Sequence, residues 1–172
     1  MNQQSERSKR WLEEALLHLM KQKHFSEITI TDITVKAGVS RLTFYRNFDS
    51  KEEVLLRYFD SIFQDYLQSI REDTACTLEN ALCRCFEYWQ THKAESKLLM
   101  RDDLSVILYK PYGQYMDQVL KNVSVPRELS HTQKRFIVGG LYFITQDWFE
   151  NDDGRTAEDM TREVLSLLGM YL

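Results

Sequence analysis

Two helix-start signatures with a glycine between them constrain this chain more than any other feature. Thr29 stands three residues before Asp32, and Ser50 three residues before Glu53. In each pair a hydroxyl and a carboxylate can satisfy the first free amides of a helix. Between them, in "AGVS", lies Gly38, the residue type that ends a helix in a left-handed turn. That interval has room for two short helices and a tight bend. The first ends at Ala37; the second runs from Arg41 to about Phe48, with Ser40 as its cap. Ile30, Ile33, Val35 and Ala37 are the apolar positions of the first. Its β-branched residues make it a poor helix alone, so tertiary packing must hold it.

The remaining sequence also reads as helix. Only 2 prolines and 6 glycines punctuate 172 residues, which favours long helices over many strands. A first helix is expected from about Glu6 to Lys23, with Trp11, Ala15, Leu16, Leu19 and Met20 as one apolar stripe. The Ser50 box opens a helix of about 20 residues, ~30 Å long, carrying Val54, Leu55, Tyr58, Ile62, Phe63, Tyr66 and Ile70 in register. "TLENALCRCFEYWQTH" and "KAESKLLMRDDLSVILY" follow as helices, then "KPYG" as a turn. A short helix, "GQYMDQVLKNV", ends at Pro126, and a long apolar one, "SHTQKRFIVGGLYFITQDWFEND", precedes a break at "DDGR" and a last helix from Thr156. The expected fold is all-α with about nine helices. It divides into a three-helix N-terminal domain, residues 1–52, and a helical C-terminal bundle, residues 53–172.

Charge is unevenly placed. The chain carries −4 overall, yet residues 1–51 hold nine Lys/Arg against six Asp/Glu. A basic N-terminal third on an acidic remainder points to a polyanion met by the first part only. No apolar run approaches the ~20 residues a bilayer requires, and "MNQQSERSKRWLEEALLHL" has no signal-peptide core, so a cytoplasmic protein is expected. Cys76, Cys83 and Cys85 form no disulfide framework and read as buried structural thiols. His18, His24, His92 and His131 are scattered, and neither a nucleotide-binding glycine loop nor a nucleophile elbow occurs. Neither enzymatic activity nor a metal or other cofactor is expected.

Within "AGVSRLTFYRNF", Phe44 and Phe48 are four apart and share a face, which assigns both to a core with Val39, Ile33 and Ala37. The outward group is Arg41, Leu42, Thr43, Tyr45 and Arg46. Arginine can read guanine or grip phosphate, Thr and Leu methyls can meet a thymine methyl, and a Tyr hydroxyl can donate to phosphate. The same residues could equally form a solvated helical rim with Tyr45 half-buried. Two short helices joined in this way fit a helix-turn-helix, whose second helix enters a DNA major groove.

From Ile28 to Leu55, "ITITDITVKAGVSRLTFYRNFDSKEEVL" closely resembles the TetR/AcrR family of bacterial transcriptional regulators. The match rests on Thr29, Ala37 to Ser40, Thr43 to Tyr45, Phe48 and Ser50-Lys51. The resemblance implies an all-helical homodimer that binds a palindromic double-stranded DNA operator. It implies phosphate contacts from Thr29, Thr31, Tyr45 and Lys51 and base-facing roles for Arg41, Leu42, Thr43 and Arg46, with Lys36 and Ser40 also at the DNA surface. Asn47 departs from the family, which often has His or Tyr there, and Leu42 stands where a small residue is common. "FIVGGLYFITQDWFEND" followed by "TAEDMTREVLSLL" is similar to a short C-terminal domain of a subset of these regulators, some of which activate. Repression is the expected direction; the alternative is a coactivator or a regulator working through partner proteins.

Phe136, Val138, Leu141, Tyr142, Ile144, Thr145, Trp148 and Phe149 are apolar almost all round one helix, more than a single core face needs. A dimer interface is expected from Phe136, Leu141, Ile144, Thr145, Trp148 and Phe149 together with Leu165, Leu168 and Tyr171, where Gly139 and Gly140 allow close approach. The family fold suggests an effector pocket, with Phe86, Trp89, Met100, Leu104, Tyr109, Tyr112, Met116 and Tyr142 as candidate lining residues for an unknown small molecule. The same side chains also suit a simple core.

Overall fold

The computed structural model describes residues 3–73, 75–124, 128–151 and 154–169. Its helices are α1 (Gln3–Met20), α2 (Ile30–Ala37), α3 (Arg41–Tyr45), α4 (Lys51–Glu72), α5 (Leu78–Thr91), α6 (Lys93–Leu99), α7 (Ser105–Asn122), α8 (His131–Asn151) and α9 (Ala157–Gly169). Short 3-10 turns lie at Phe25–Glu27 and Asp102–Leu104. The only extended pairing among the described residues is an isolated bridge between Thr77 and Ser124. The fold is all-α.

The chain forms two compact units, one up to Ile62 and one from Phe63 onward. The first half of α4 therefore belongs to the N-terminal unit. Its Val54, Leu55 and Phe59 are buried, and Arg57 pairs with Glu13 and, at 2.7 Å, with Glu6 of α1.

In the first unit α1 lies against α2, and α2 against α3. The capping box forms as expected. The Asp32 amide donates to Thr29 Oγ1 at 3.1 Å, and Asp32 Oδ2 accepts from the Thr29 amide at 2.9 Å and from Lys23 Nζ at 2.8 Å. α2 ends at Gly38, with φ 67° and ψ 31°. Its amide donates to the Thr34 and Val35 carbonyls, and the Val39 amide reaches back to Thr34 at 3.0 Å. These bonds satisfy carbonyls that the helix end would leave orphaned. Phe44 and Phe48 are buried at 0% and 3% exposure, with Ile33, Phe25, Ile28 and Leu16 among the core residues of this unit.

Several expectations for this unit change. α1 starts earlier and stops at Met20 rather than Lys23, and α3 stops at Tyr45 rather than Phe48. The buried side of α1 is Ser8, Leu12, Ala15, Leu16 and Met20. Trp11 is turned outward at 41% exposure, with the Arg7 guanidinium 4.9 Å from its ring. Val35 is 76% exposed and Val39 only half-buried, so Ile33 is the main apolar anchor of α2.

In the second unit α5 packs on α9, and α8 on both α7 and α6. Phe63 lies at the centre of a ring cluster, 5.8 Å from both Trp89 and Tyr112 and stacked on Tyr115 at 4.8 Å. The "KPYG" turn does not form. Pro111 sits inside α7, whose Leu108, Tyr112, Gly113, Tyr115, Met116 and Val119 are buried. An interior proline costs about 3 kcal/mol, and burying an apolar stripe of this length outweighs it. "KAESKLLMRDDLSVILY" is divided between α6, the second 3-10 turn and α7. Pro126 lies outside the described residues.

Cys76 and Cys85 are buried and Cys83 is half-buried, all as free thiols. Burial pushes Cys85 up to about 12. No described helix is long and apolar enough to cross a membrane.

Candidate nucleic-acid interface

α3 has only five residues, and each end is fixed by a side chain. At its start Ser40 Oγ accepts from the Thr43 amide at 3.0 Å and lies 2.9 Å from the Thr43 hydroxyl. Beyond its end, Asn47 Nδ2 donates to the Thr43 carbonyl at 2.7 Å, and Asn47 Oδ1 accepts from Ser5 Oγ of α1 at 2.5 Å. Asn47 is thereby tied inward and backward. Neither Ser5 nor Asn47 has a distinguishing sequence pattern, because the two partners are 42 positions apart.

Phe44 anchors the buried face of α3, its ring 6.1 Å from that of Phe48. The opposite face carries Arg41, Leu42, Tyr45 and Arg46, all exposed, with Leu42 at 60% and Tyr45 at 49%. Thr43 is half-buried and shares its hydroxyl with Ser40. Arg41 Nη2 lies 3.4 Å from the Tyr45 hydroxyl, and its guanidinium is 6.0 Å from the Tyr45 ring. Such a contact holds a long cation above an aromatic platform without burying either group.

Thr29 and Thr31 are exposed at the first turn of α2. The Thr29 hydroxyl is already engaged, donating to Asp32 Oδ2 at 2.8 Å. Lys36 is exposed but lines a different cleft, of about 420 Å³, with Trp11, Glu14, Ala15, His18, Ala37 and Gly38. Lys51 is half-buried. Its ammonium donates to the carbonyls of Phe25 and Ile28 at 2.7 Å each and of Ser26 at 3.2 Å, and lies 4.6 Å from the Phe25 ring. A lysine has three N–H donors, so Lys51 can reach a phosphate only by giving up one of these bonds. The geometry makes it a staple between α4 and the turn before α2.

The candidate effector residues Phe86, Trp89, Met100, Leu104, Tyr112, Met116 and Tyr142 are buried, and Tyr109 is half-buried. Tyr142 lies 5.3 Å from Tyr109 and 5.2 Å from Tyr112, while Phe86 meets Trp148 and Trp89 meets Phe63. The candidate dimer residues divide. Leu141, Thr145, Trp148, Phe149 and Leu168 are buried within the single chain, so they belong to its own core. Ile144 and Leu165 are half-buried, and Tyr171 lies outside the described residues. Phe136, Phe143 and Leu167 are the large apolar side chains left exposed on α8 and α9, at 63%, 57% and 44%.

Residues 13–58 match the family described as bacterial regulatory proteins, tetR family. The HTH-type transcriptional regulator EthR of Mycobacterium tuberculosis is 33% identical over 88 residues, 46% of this chain and 41% of that protein. The chain thus aligns with under half the length of this curated relative. A TetR transcriptional regulator from Streptococcus agalactiae has the same fold, with a TM-score of 0.73 at 21% identity over 95% of this chain and 94% of that one. The dihydroxyacetone kinase operon activator DhaS superposes with a TM-score of 0.58 at 19% identity, over 95% of both chains.

Proposed function

We propose that this chain, a TetR-family transcriptional regulator by its N-terminal domain, binds a palindromic DNA operator as a homodimer and represses transcription until an effector releases it. The observation that carries the reading is the exposed face of α3. Arg41, Leu42, Tyr45 and Arg46 project from a helix fixed at both ends and anchored from behind by Phe44. Arg41 and Arg46 supply guanine or phosphate contacts, Leu42 an apolar surface for a thymine methyl, and Tyr45 a hydroxyl for phosphate. Thr31 and the Thr29 region add phosphate contacts from the first turn of α2.

A single helix of this size reads too few bases for a useful address. Two copies related by a two-fold axis read half-sites one DNA turn apart, ~34–36 Å, or a multiple of it. The exposed apolar residues of α8 and α9, Phe136, Phe143 and Leu167, favour that second copy. The aromatic interior of the C-terminal unit, with the Tyr142 hydroxyl 3.4 Å from Ser105, offers the apolar walls and polar contact that an effector site needs. Activation is the second reading. It is favoured by the likeness over 95% of the chain to DhaS, an operon activator.

Selection of bound duplexes from random DNA tests the reading, with Arg46→Ala and Tyr45→Phe proteins alongside. The wild type enriches a palindrome, and its affinity falls steeply with salt. Arg46→Ala loses discrimination at one base position of each half-site. Failure of the wild type to enrich any duplex overturns the proposal. A reporter gene downstream of the selected site gives the direction of control.

A further inference from the structure

We infer that the DNA surface does not end at α3 but continues onto the first turns of α1, where Gln4, Arg7 and Arg10 hold the phosphate backbone flanking the groove. This inference rests on the DNA-binding reading above.

Two clefts carry it. One, of about 400 Å³, is lined by Gln4, Ser5, Ser8, Thr43, Arg46 and Asn47. It lies between the start of α1 and the recognition helix, and Arg46 belongs to both this cleft and the outward face of α3. The second, of about 370 Å³, is lined by Gln3, Gln4, Arg7 and Arg10. Gln4 is common to both, so the two clefts adjoin and extend the surface that Arg46 begins. The Ser5–Asn47 hydrogen bond links the two helices beside Arg46. A backbone that lies along α3 meets α1 in a fixed place.

The charges along α1 are sorted in a way that suits a polyanion. Among the described residues, neither cleft is lined by an Asp or Glu. Glu6 and Glu13 engage Arg57 of α4, and Glu6 also takes Lys9 at 3.1 Å. Arg57 thus draws carboxylates of α1 toward α4, while Arg7 and Arg10 remain exposed. Arg7 over the Trp11 ring is held in place by an apolar neighbour that does not neutralise it. Two exposed guanidinium groups beside clefts with no Asp or Glu among their described lining residues match phosphate oxygens.

Counterion release separates this surface from a bystander charge. Each phosphate contact contributes about 0.9 to the slope of log affinity against log salt. The probe is the duplex enriched by wild type, with flanks of natural DNA length on both sides. Arg7→Gln/Arg10→Gln protein should bind with a slope lower by about 1–2 and an affinity roughly tenfold weaker at 0.1 M salt. Hydroxyl-radical footprints should lose protection at the outer edge of each half-site and keep it at the centre. Lys110→Gln, an exposed charge on α7, is the control and should leave the slope unchanged. Circular dichroism confirms that each variant folds. If the double variant binds with the wild-type slope and footprint, this inference is overturned while the parent reading stands. If wild type enriches no duplex, both are overturned.

Discussion

Replacing Lys51 separates a staple from a phosphate ligand. Its ammonium converges on the carbonyls of Phe25, Ser26 and Ile28, at 2.7, 3.2 and 2.7 Å. Hydrogen bonds from a charged donor contribute about 1.5–3 kcal/mol each when well shielded, and three would sum to about 4.5–9 kcal/mol. The Lys51→Met cost should be smaller, about 3–6 kcal/mol from the two remaining bonds, because Ser26 is exposed and water can take over its carbonyl. The Phe25 and Ile28 carbonyls belong to buried residues, and they carry most of the loss. Methionine keeps the apolar stem against Phe25, so the change reports on the ammonium. Urea unfolding gives the free energy, and hydrogen exchange at Phe25 to Asp32 shows where it is lost. Lys51→Arg should recover only part of it, since a planar guanidinium spreads its donors over several nitrogens. DNA binding supplies the decisive contrast. Removing a staple weakens binding and leaves the salt slope unchanged. Removing a group that grips phosphate lowers the slope by about 0.9. An unchanged unfolding midpoint together with a lowered slope would refute the staple.

Other consequences follow from the same unit. Gly38→Ala should cost about 1–2 kcal/mol in thermal or urea melts, from the positive φ alone, since a Cβ there meets nothing within 4 Å; a neutral substitution would contradict it. Phe44→Ala should remove about 3–5 kcal/mol and abolish DNA binding in a gel-shift assay. Lys23 and the Thr29 amide and hydroxyl hold the Asp32 carboxyl well below its usual range. Because its folded pKa is depressed, its stabilisation is present above the unfolded value, ~3.9, and is lost as pH falls through the folded one. Melts from pH 7 to pH 2 should show a shallower acid decline for Asp32→Asn. Iodoacetamide at pH 8 should leave Cys85 unmodified in the native protein, which mass spectrometry of peptides reads directly.

Local signals in the sequence have local causes, and these are legible. The Thr29–Asp32 box, the left-handed Gly38, the Ser40 cap and the buried Phe44–Phe48 pair each depend on residues within a few positions. Periodicity also locates most helices. What periodicity cannot supply is the neighbour that covers a face. Trp11 has the spacing of a core residue yet lies outside, with Leu12 in the place expected for it. On α8 the apolar residues run almost all round, so the sequence offers no basis for separating buried from exposed ones; packing within the unit does so, burying Leu141, Thr145 and Trp148, the last with its ring 5.7 Å from that of Phe86 on α5, while Phe136 and Phe143 stay exposed. Pro111 carries a turn signal that packing overrides. Lys51 and Asn47 take their positions from partners 23 to 42 residues away, beyond the reach of any local motif.

The brevity of α3 has a consequence for how such a protein changes over generations. Five residues cannot nucleate a helix in water, so the segment exists only through its cap, its glycine turn and Phe44. Phe44 holds the shape from the buried side, and Ser40 and Gly38 hold it through bonds to the helix-end backbone. Arg41, Leu42, Tyr45 and Arg46 are exposed, lie outside the core and form the face proposed to meet DNA. The two tasks fall to different side chains, so mutation can rewrite the address without eroding the fold's stability. The same division makes these four positions the ones at which a new target sequence could be engineered.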